Sequence, residues 1–241
     1  MTAVEQEYSE GTTTVVVRRL GESLLRARRP NGPHEELVAI GRRIRRDHAT
    51  DTVLLSSRQP HWEHALVEAG YEVHRRKTLV QKQLAPHAVD ASLRWRSLTE
   101  LGDAAFLAEL VACAEGDPFD DPSADPEREW RELTDHAGPD FDRSSWRVAL
   151  DHGGTIGVVL ATRYPNAPHE GTLSYVGVHP GRRRQGYGVR LHAAGLARLG
   201  NMGVTKYFGS TDQRNAGMLR IFERNGCEPV TTQAFLRPSP G

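Results

Sequence analysis

Apolar and polar positions along this chain follow two periods, and the switches between them mark out its elements. Between 34 and 46 the apolar residues Leu37, Ile40, Gly41 and Ile44 recur at helical spacing and leave Arg42, Arg43, Arg45 and Arg46 on the opposite face. Alternating or β-branched runs over 13–20, 52–57 and 71–84 predict strands, with helices over 34–46 and 62–69 between them. Ala85-Pro86-His87 interrupts this first unit. A second, longer unit follows: helices around 101–113 and 127–133, strands over 146–150, 155–164 and 173–178, a helix from 189, a strand over 205–210, a helix over 216–224, and a final strand pair or hairpin near 228–236. Strands alternating with amphipathic helices predict an α/β (α+β) fold with a mixed sheet flanked by helices rather than a bundle.

Composition narrows the function classes. Lys plus Arg and Asp plus Glu both total 31, so the formal net charge is zero and no global field draws the chain to nucleic acid. The Arg42–Arg46 cluster reads as the wet face of its helix. Residues 1–11 are acidic and polar, unlike a signal peptide, and no apolar run reaches spanning length, so a cytoplasmic protein without membrane contact is expected. Cys113 and Cys227 are far apart and lack metal-type spacing; they read as buried thiols. The histidines scatter singly, and no metal is expected.

The stretch with chemical content is Arg183-Arg184-Gln185-Gly186-Tyr187-Gly188, set between the strand-like run Leu173–Val178 and the helix-like run from Val189. Glycines there let the backbone turn tightly and approach a ligand, and amides at a helix start favour phosphate. No Gly-Lys-Ser/Thr follows, as a P-loop needs, and a Gly-x-Gly-x-x-Gly dinucleotide pattern fails at Leu191. Together with Val176-Gly177-Val178-His179-Pro180 before it and Asn215 downstream, this arrangement resembles the acetyl-CoA site of the GNAT superfamily of N-acetyltransferases.

The resemblance implies a GNAT-like fold, with a complete acetyltransferase domain over 92–238, and acetyl-CoA as acyl donor. Backbone groups of Val176, Gly177 and Val178 would line the pantetheine arm, and the amides from Arg184 through Val189, with Arg183 and Arg184 adding charge, would hold the pyrophosphate. Asn215 matches the family's Asn that opens the next helix and contacts the cofactor arm, while also being a good N-cap. The family's pattern Asn-x-x-Ala-x-x-x-Tyr-x-x-x-Gly is filled by Asn215, Met218, Phe222 and Gly226, so the phenol that protonates the leaving thiolate is replaced by Phe222 on the cofactor-binding helix. Tyr207, in a predicted strand, reads as a core residue.

A lysine-like amine with a pKa of about 10.4 must lose a proton before it attacks. Glu170, Thr172 and Ser174 should share one strand face, and Glu170, through a water ordered by Ser174, is the candidate base. The loop over 117–125, rich in Asp and Pro, stands where relatives build the acceptor pocket, and its carboxylates suit a cationic amine. Trp130 and Trp146 read as core or rim residues. No cysteine has an evident His partner, so direct attack by a small-molecule or peptide amine is expected, in a monomer or homodimer. The alternative is a catalytically weak acyl-CoA-binding sensor or partner-binding module.

Laying Gly70 on Gly226 places Ala69-Gly70-Tyr71-Glu72 on Asn225-Gly226-Cys227-Glu228 and Ser56-Ser57 on Ser210-Thr211. The same offset sets Ala27 against Arg183, Pro30 against Gly186 and Gly32 against Gly188, leaving the first copy without an amide donor and a guanidinium. Residues 1–88 therefore read as a truncated GNAT-like unit without a cofactor site.

Overall fold

The computed structural model describes residues 5–20, 23–28, 30–56, 58–87, 92–119 and 125–239. Two compact units divide the chain, 1–79 with 230–241, and 80–229. The expected break near 88–92 falls within the second unit, and the last strand belongs with the first.

The first unit holds β1 (Glu5–Glu10), β2 (Thr13–Arg19), β3 (Leu24–Arg28), α1 (His34–Asp47), β4 (Thr52–Ser56), α2 (Pro60–Glu68) and most of β11 (Glu228–Pro238). Its strands run in the order β1-β2-β3-β4-β11. β2 and β3 are antiparallel, β3 and β4 parallel across α1, and β11 returns antiparallel to β4 with Phe235 opposite Leu54. The helical stripe read from sequence is the buried face of α1, and Gly41 is needed because a Cβ there would lie 2.8 Å from Ala69 Cβ. On the other face Arg43 donates to the Ser9 carbonyl and Arg45 to that of Ser239, so this basic face is partly spent on the protein itself.

Along β5 (Tyr71–Gln83) the chain passes into the second unit, which holds β6 (Arg94–Ser97), α3 (Leu98–Leu101), α4 (Asp103–Ala114), α5 (Pro126–Ala137), β7 (Trp146–Asp151), β8 (Gly154–Tyr164), β9 (Ala167–Val178), α6 (Tyr187–Asn201), β10 (Lys206–Asp212) and α7 (Ala216–Arg224). The order is β10-β9-β8-β7-β6, antiparallel except for the parallel β9–β10 pair. Alternate side chains of β8 go to opposite faces. Val158 and Leu160 join Phe106, Trp130 and Trp146 under α4 and α5, whereas Val159 and Ala161 join the clusters beneath α6. Trp130 and Trp146 are thus core residues, their rings 5.6 Å apart.

Strands β1, β3 and β6 were not foreseen, and the expected terminal hairpin is the single strand β11. β3 also corrects the repeat alignment: Ala27 lies inside this strand, buried and opposite Val17, so it is no counterpart of a loop arginine. Ser57, used in the same alignment, lies outside the described residues.

Two irregularities in β9 shape the site. Tyr175 faces Leu160 and Leu173 faces Ala161, so Ser174 is an extra, unopposed residue in the ladder to β8, a β-bulge. On the other edge, β9 and β10 pair only at Glu170–Lys206 and Gly171–Tyr207 among the described residues. From Thr172 onward that edge of β9 has no ladder.

Candidate functional site

The open edge of β9 presents particular main-chain groups. The His179 amide donates to the Ile156 carbonyl at 2.9 Å, which makes 179 and 156 a hydrogen-bonded pair. Antiparallel pairs alternate between bonded and non-bonded, so Val178 opposite Gly157 and Val176 opposite Val159 direct their N–H and C=O groups away from β8. Those are two of the three residues expected to meet a pantetheine arm; the main chain of the third, Gly177, pairs with Val158 and faces β8 instead. Gly177 has a separate reason: a Cβ would lie 2.5 Å from the Tyr175 ring and 3.1 Å from Cys113 Cβ.

Beyond β9 the chain makes a short 3-10 turn and enters α6 through Gly186, which sits at φ 84° as the N-cap without any side-chain cap. Arg184 has φ 60°, the one left-handed non-glycine among the described residues. That conformation costs an L-residue roughly 1 kcal/mol or more, and such strain gathers at ligand clamps. Among the described residues no hydrogen bond ends on the amides of Arg184, Gly186, Tyr187 or Gly188, while that of Gln185 closes the turn over Arg183 and Arg184. These four amides stand at the entry of a fifteen-residue helix, those of Tyr187 and Gly188 in its first turn, and make an anion cradle with the helix dipole behind it.

The glycines and arginines of this loop divide their work differently from the expectation. Nothing lies within 4 Å of where a Gly186 Cβ would be, so this glycine serves the left-handed turn, whereas a Cβ on Gly188 would meet Ile221 Cδ1 at 2.8 Å, so Gly188 serves the contact of α6 with α7. Arg183 is not available to a phosphate. Its guanidinium donates to the carbonyls of Val178, Cys113, Glu115 and Gly116 and pins the end of α4 to the loop. Arg182 pairs with Asp151 at 2.9 Å. Arg184 is the exposed cation left beside the free amides. Tyr187 and Val189 occupy the first turn of α6.

Asn215 caps α7, its Oδ1 accepting from the Met218 amide at 2.9 Å. Phe222 is buried against His192, with ring centroids 5.4 Å apart. His192 Nε2 lies 3.1 Å from the Tyr207 hydroxyl, and both residues are fully buried, which settles Tyr207 in the core as read from sequence. Burial pushes the His192 imidazole down to about 3 and holds it neutral. Sequence reasoning missed this His192–Tyr207 pair, although a histidine on the apolar stripe of α6 was its signal.

The candidate base and its hydroxyls are separated in role. Ser174 Oγ donates to Thr162 Oγ1 at 2.8 Å, and Trp146 Nε1 donates to the same oxygen at 3.1 Å. Glu170 lies at the closed end of the β9–β10 divergence, opposite Lys206. At about 3.3 Å per residue it is ~13 Å along the strand from Ser174. Burial raises Cys113 to about 12 and Cys227 to about 11, so both are neutral thiols at pH 7.

Beside Tyr175, on the face of the sheet carrying α4 and α5, lies a cavity of about 690 Å³. Of the acidic loop, residues 120–124 lie outside the described residues. Two of the others act as local caps: Asp117 accepts from the Phe119 amide at 2.9 Å and Asp125 from the Glu127 amide at 3.1 Å. No helix among the described residues is long and apolar enough to cross a membrane.

Comparison with known proteins agrees with this geometry. The acetyltransferase (GNAT) family profile matches residues 104–227, more than half the chain. No curated protein matches. Among solved structures, the chain is similar to a GCN5-related N-acetyltransferase from Sphaerobacter thermophilus, at TM-score 0.68 and 19% identity over 94% of this chain and 78% of that one. It is also similar to a GCN5-related N-acetyltransferase from Kribbella flavida, at TM-score 0.58 and 17% identity over 98% and 90%. A tandem GNAT protein from the clavulanic acid biosynthesis pathway aligns at TM-score 0.59 and 15% identity over 95% and 79%. At such identities these likenesses speak for the fold, and the profile match speaks for the family. With a free-amide cradle at the helix start, a diverging strand pair before it and that match over most of the second unit, the chain belongs to the GNAT acetyltransferase family.

Proposed function

We propose that this acetyltransferase uses acetyl-CoA and acetylates a primary amine by direct attack in a ternary complex. The observation that carries the reading is the group of unpartnered amides of Arg184, Gly186, Tyr187 and Gly188 at the start of α6. Bound acetyl-CoA supplies the thioester whose acetyl group is transferred. The cradle amides and Arg184 hold its diphosphate, and the main-chain groups of Val176 and Val178 guide its arm along the open edge of β9. The amide of Val178, held in place by the strand, polarises the acetyl carbonyl, a contribution that can amount to several kcal/mol.

In the transfer a nitrogen–carbon bond forms as the carbon–sulfur bond breaks. The amine proton passes toward Glu170 through water ordered near Thr172 and Ser174, and the departing sulfur takes a proton from solvent. A thiol pKa of about 8.5 makes that departure feasible without the phenol that Phe222 replaces. The neutral, buried Cys113 and Cys227 support direct attack over a covalent acyl-enzyme.

The first unit is, in this reading, a degenerate copy. The offset that lays Gly70 on Gly226 also lays Pro60–Glu68 on Ala216–Arg224 end to end. The start of α1 differs from that of α6: its N-cap is Pro33, which has no N–H to offer, and Glu36 in its first turn accepts from the Thr12 amide at 3.1 Å. A carboxylate in that first turn repels a diphosphate.

Calorimetric titration with acetyl-CoA tests the central point. Gly186→Pro, which cannot adopt φ 84°, should lose at least about tenfold in affinity, equivalent to roughly 1.4 kcal/mol. Unchanged affinity in a folded variant sinks the assignment. Binding without amine-dependent release of thiol would instead select the acyl-CoA-binding module, the reading that Phe222 favours.

A further inference from the structure

The cavity beside Tyr175 has a chemistry of its own. One wall, from α4 and α5, is aliphatic: Leu107, Leu110, Val111 and Leu133. Val111 is 43% exposed and lines the cavity beside the other three, so the aliphatic wall reaches solvent. The rim carries Glu115, Asp117, Glu129 and Glu132, and no Lys, Arg or His is among the lining residues described. Glu115 has no side-chain partner among the described residues, whereas Glu132 pairs with Arg128 at 2.9 Å. A volume of 690 Å³ lies in the range of small-molecule sites, about 300–1,000 Å³, and exceeds what an unsubstituted short amine fills.

Resting on the amine-acetylation reading above, we infer that the acceptor is a primary amine on an apolar aryl or alkyl body, lacking any carboxylate. The body lies against the aliphatic wall and the Tyr175 ring, and the ammonium is drawn in by the acidic rim. Each rejected class fails for a physical reason. An amino acid or free peptide would bring a carboxylate to a rim of like charge whose nearest guanidiniums are already engaged, Arg128 by Glu132 and Arg183 by the carbonyls of Glu115 and Gly116. A peptide chain or amino sugar would bury carbonyls or hydroxyls against aliphatic carbon, where unmet hydrogen bonds are penalised. The sequence pointed only to acidic residues in a loop; the aliphatic wall emerges from the helical faces of α4 and α5 once folded.

The test compares tryptamine with tryptophan, glucosamine and a lysine-containing peptide, following free-thiol release from acetyl-CoA. Tryptamine should exceed tryptophan in kcat/KM by about a hundredfold or more, a margin that charge and burial together can supply. Val111→Arg and Glu115→Gln, both at exposed positions, should raise the KM for tryptamine by about tenfold or more and leave acetyl-CoA affinity unchanged. Calorimetry of tryptamine binding without acetyl-CoA separates this inference from the reading beneath it. Saturable binding weakened by Val111→Arg, with no acetyl transfer to any amine, would uphold the pocket and overturn the acetylation reading. Preference for tryptophan, glucosamine or the peptide, or tryptamine binding indifferent to both variants, would overturn the pocket.

Discussion

His192 shows how a single burial decision reaches into the behaviour of the whole fold. Its ring is enclosed by Tyr207 and Phe222, Nε2 is satisfied by the Tyr207 hydroxyl, and Nδ1 is buried without a partner among the described residues. The folded chain refuses a proton until about pH 3, whereas the unfolded chain accepts one near pH 6.5. Native stability is therefore complete above the unfolded value and falls as pH drops between 6.5 and 3, by up to about 1.4 kcal/mol per unit. Urea midpoints at pH 7.5, 6 and 5 should decline in the wild type and flatten in His192→Phe; equal slopes would show that the imidazole is not responsible. The three measured pH values stay above the ordinary Asp and Glu values of about 3.9 and 4.3, so carboxylates contribute little to the difference between the two proteins. At this scale the sequence was readable where a residue's role follows from its backbone, as with Gly186 and the capping Asn215. It was misleading where the role depends on a distant partner. Arg183 carries the family's motif position, yet carbonyls more than sixty residues upstream consume its guanidinium, and no local pattern announces that.

At the scale of elements, the joint between β8 and β9 sets the geometry of the open edge. Gly157 lies opposite Val178, and a Cβ there would sit 2.2 Å from the Gly177 carbonyl oxygen and 2.6 Å from Leu191 Cδ1. Backbone oxygen cannot yield without shifting the register, unlike the flexible Ile221 methyl that faces Gly188. Gly157→Ala should thus destabilise by about 3 kcal/mol, at the upper end of overpacking costs, and weaken acetyl-CoA binding through displaced Val176 and Val178. Gly188→Ala should cost less. Thermal melts of the two variants, with acetyl-CoA titrations alongside, decide the order; a milder effect at Gly157 would contradict this account. The helices were legible because three or four turns repeat their apolar spacing. β1, β3 and β6 were not: β1 buries only Tyr8 of its six residues, and four-residue β6 is too short to show alternation. The bulge at Ser174 also escaped notice, since an extra residue shifts the period that would have exposed it.

For the whole molecule, the decisive fact is that chain order and compact units do not coincide. A reading that follows the sequence assigns 228–238 to the second unit, because β11 directly follows α7 by a glycine turn. Yet β11 pairs with β4 over Gln233–Ser56 to Leu236–Val53, and Ala234 and Leu236 enter the core that contains Ile40, Leu55 and Trp62. Long-range pairing of this kind is a tertiary choice that local propensity does not encode. It means that the first unit is incomplete until β11 is made. A chain ending at Pro229 would expose the β4 edge and remove Ala234 and Leu236 from that core, a loss of several kcal/mol. Residues 5–79 should then become protease-sensitive and lose amide-exchange protection. The second unit keeps β10-β9-β8-β7-β6 and the loop before α6, so the truncated chain should retain protection in α6. Protection in β2 and β4 matching that of the full chain would show that the first unit holds without its returning strand, and the two-unit description would have to be redrawn.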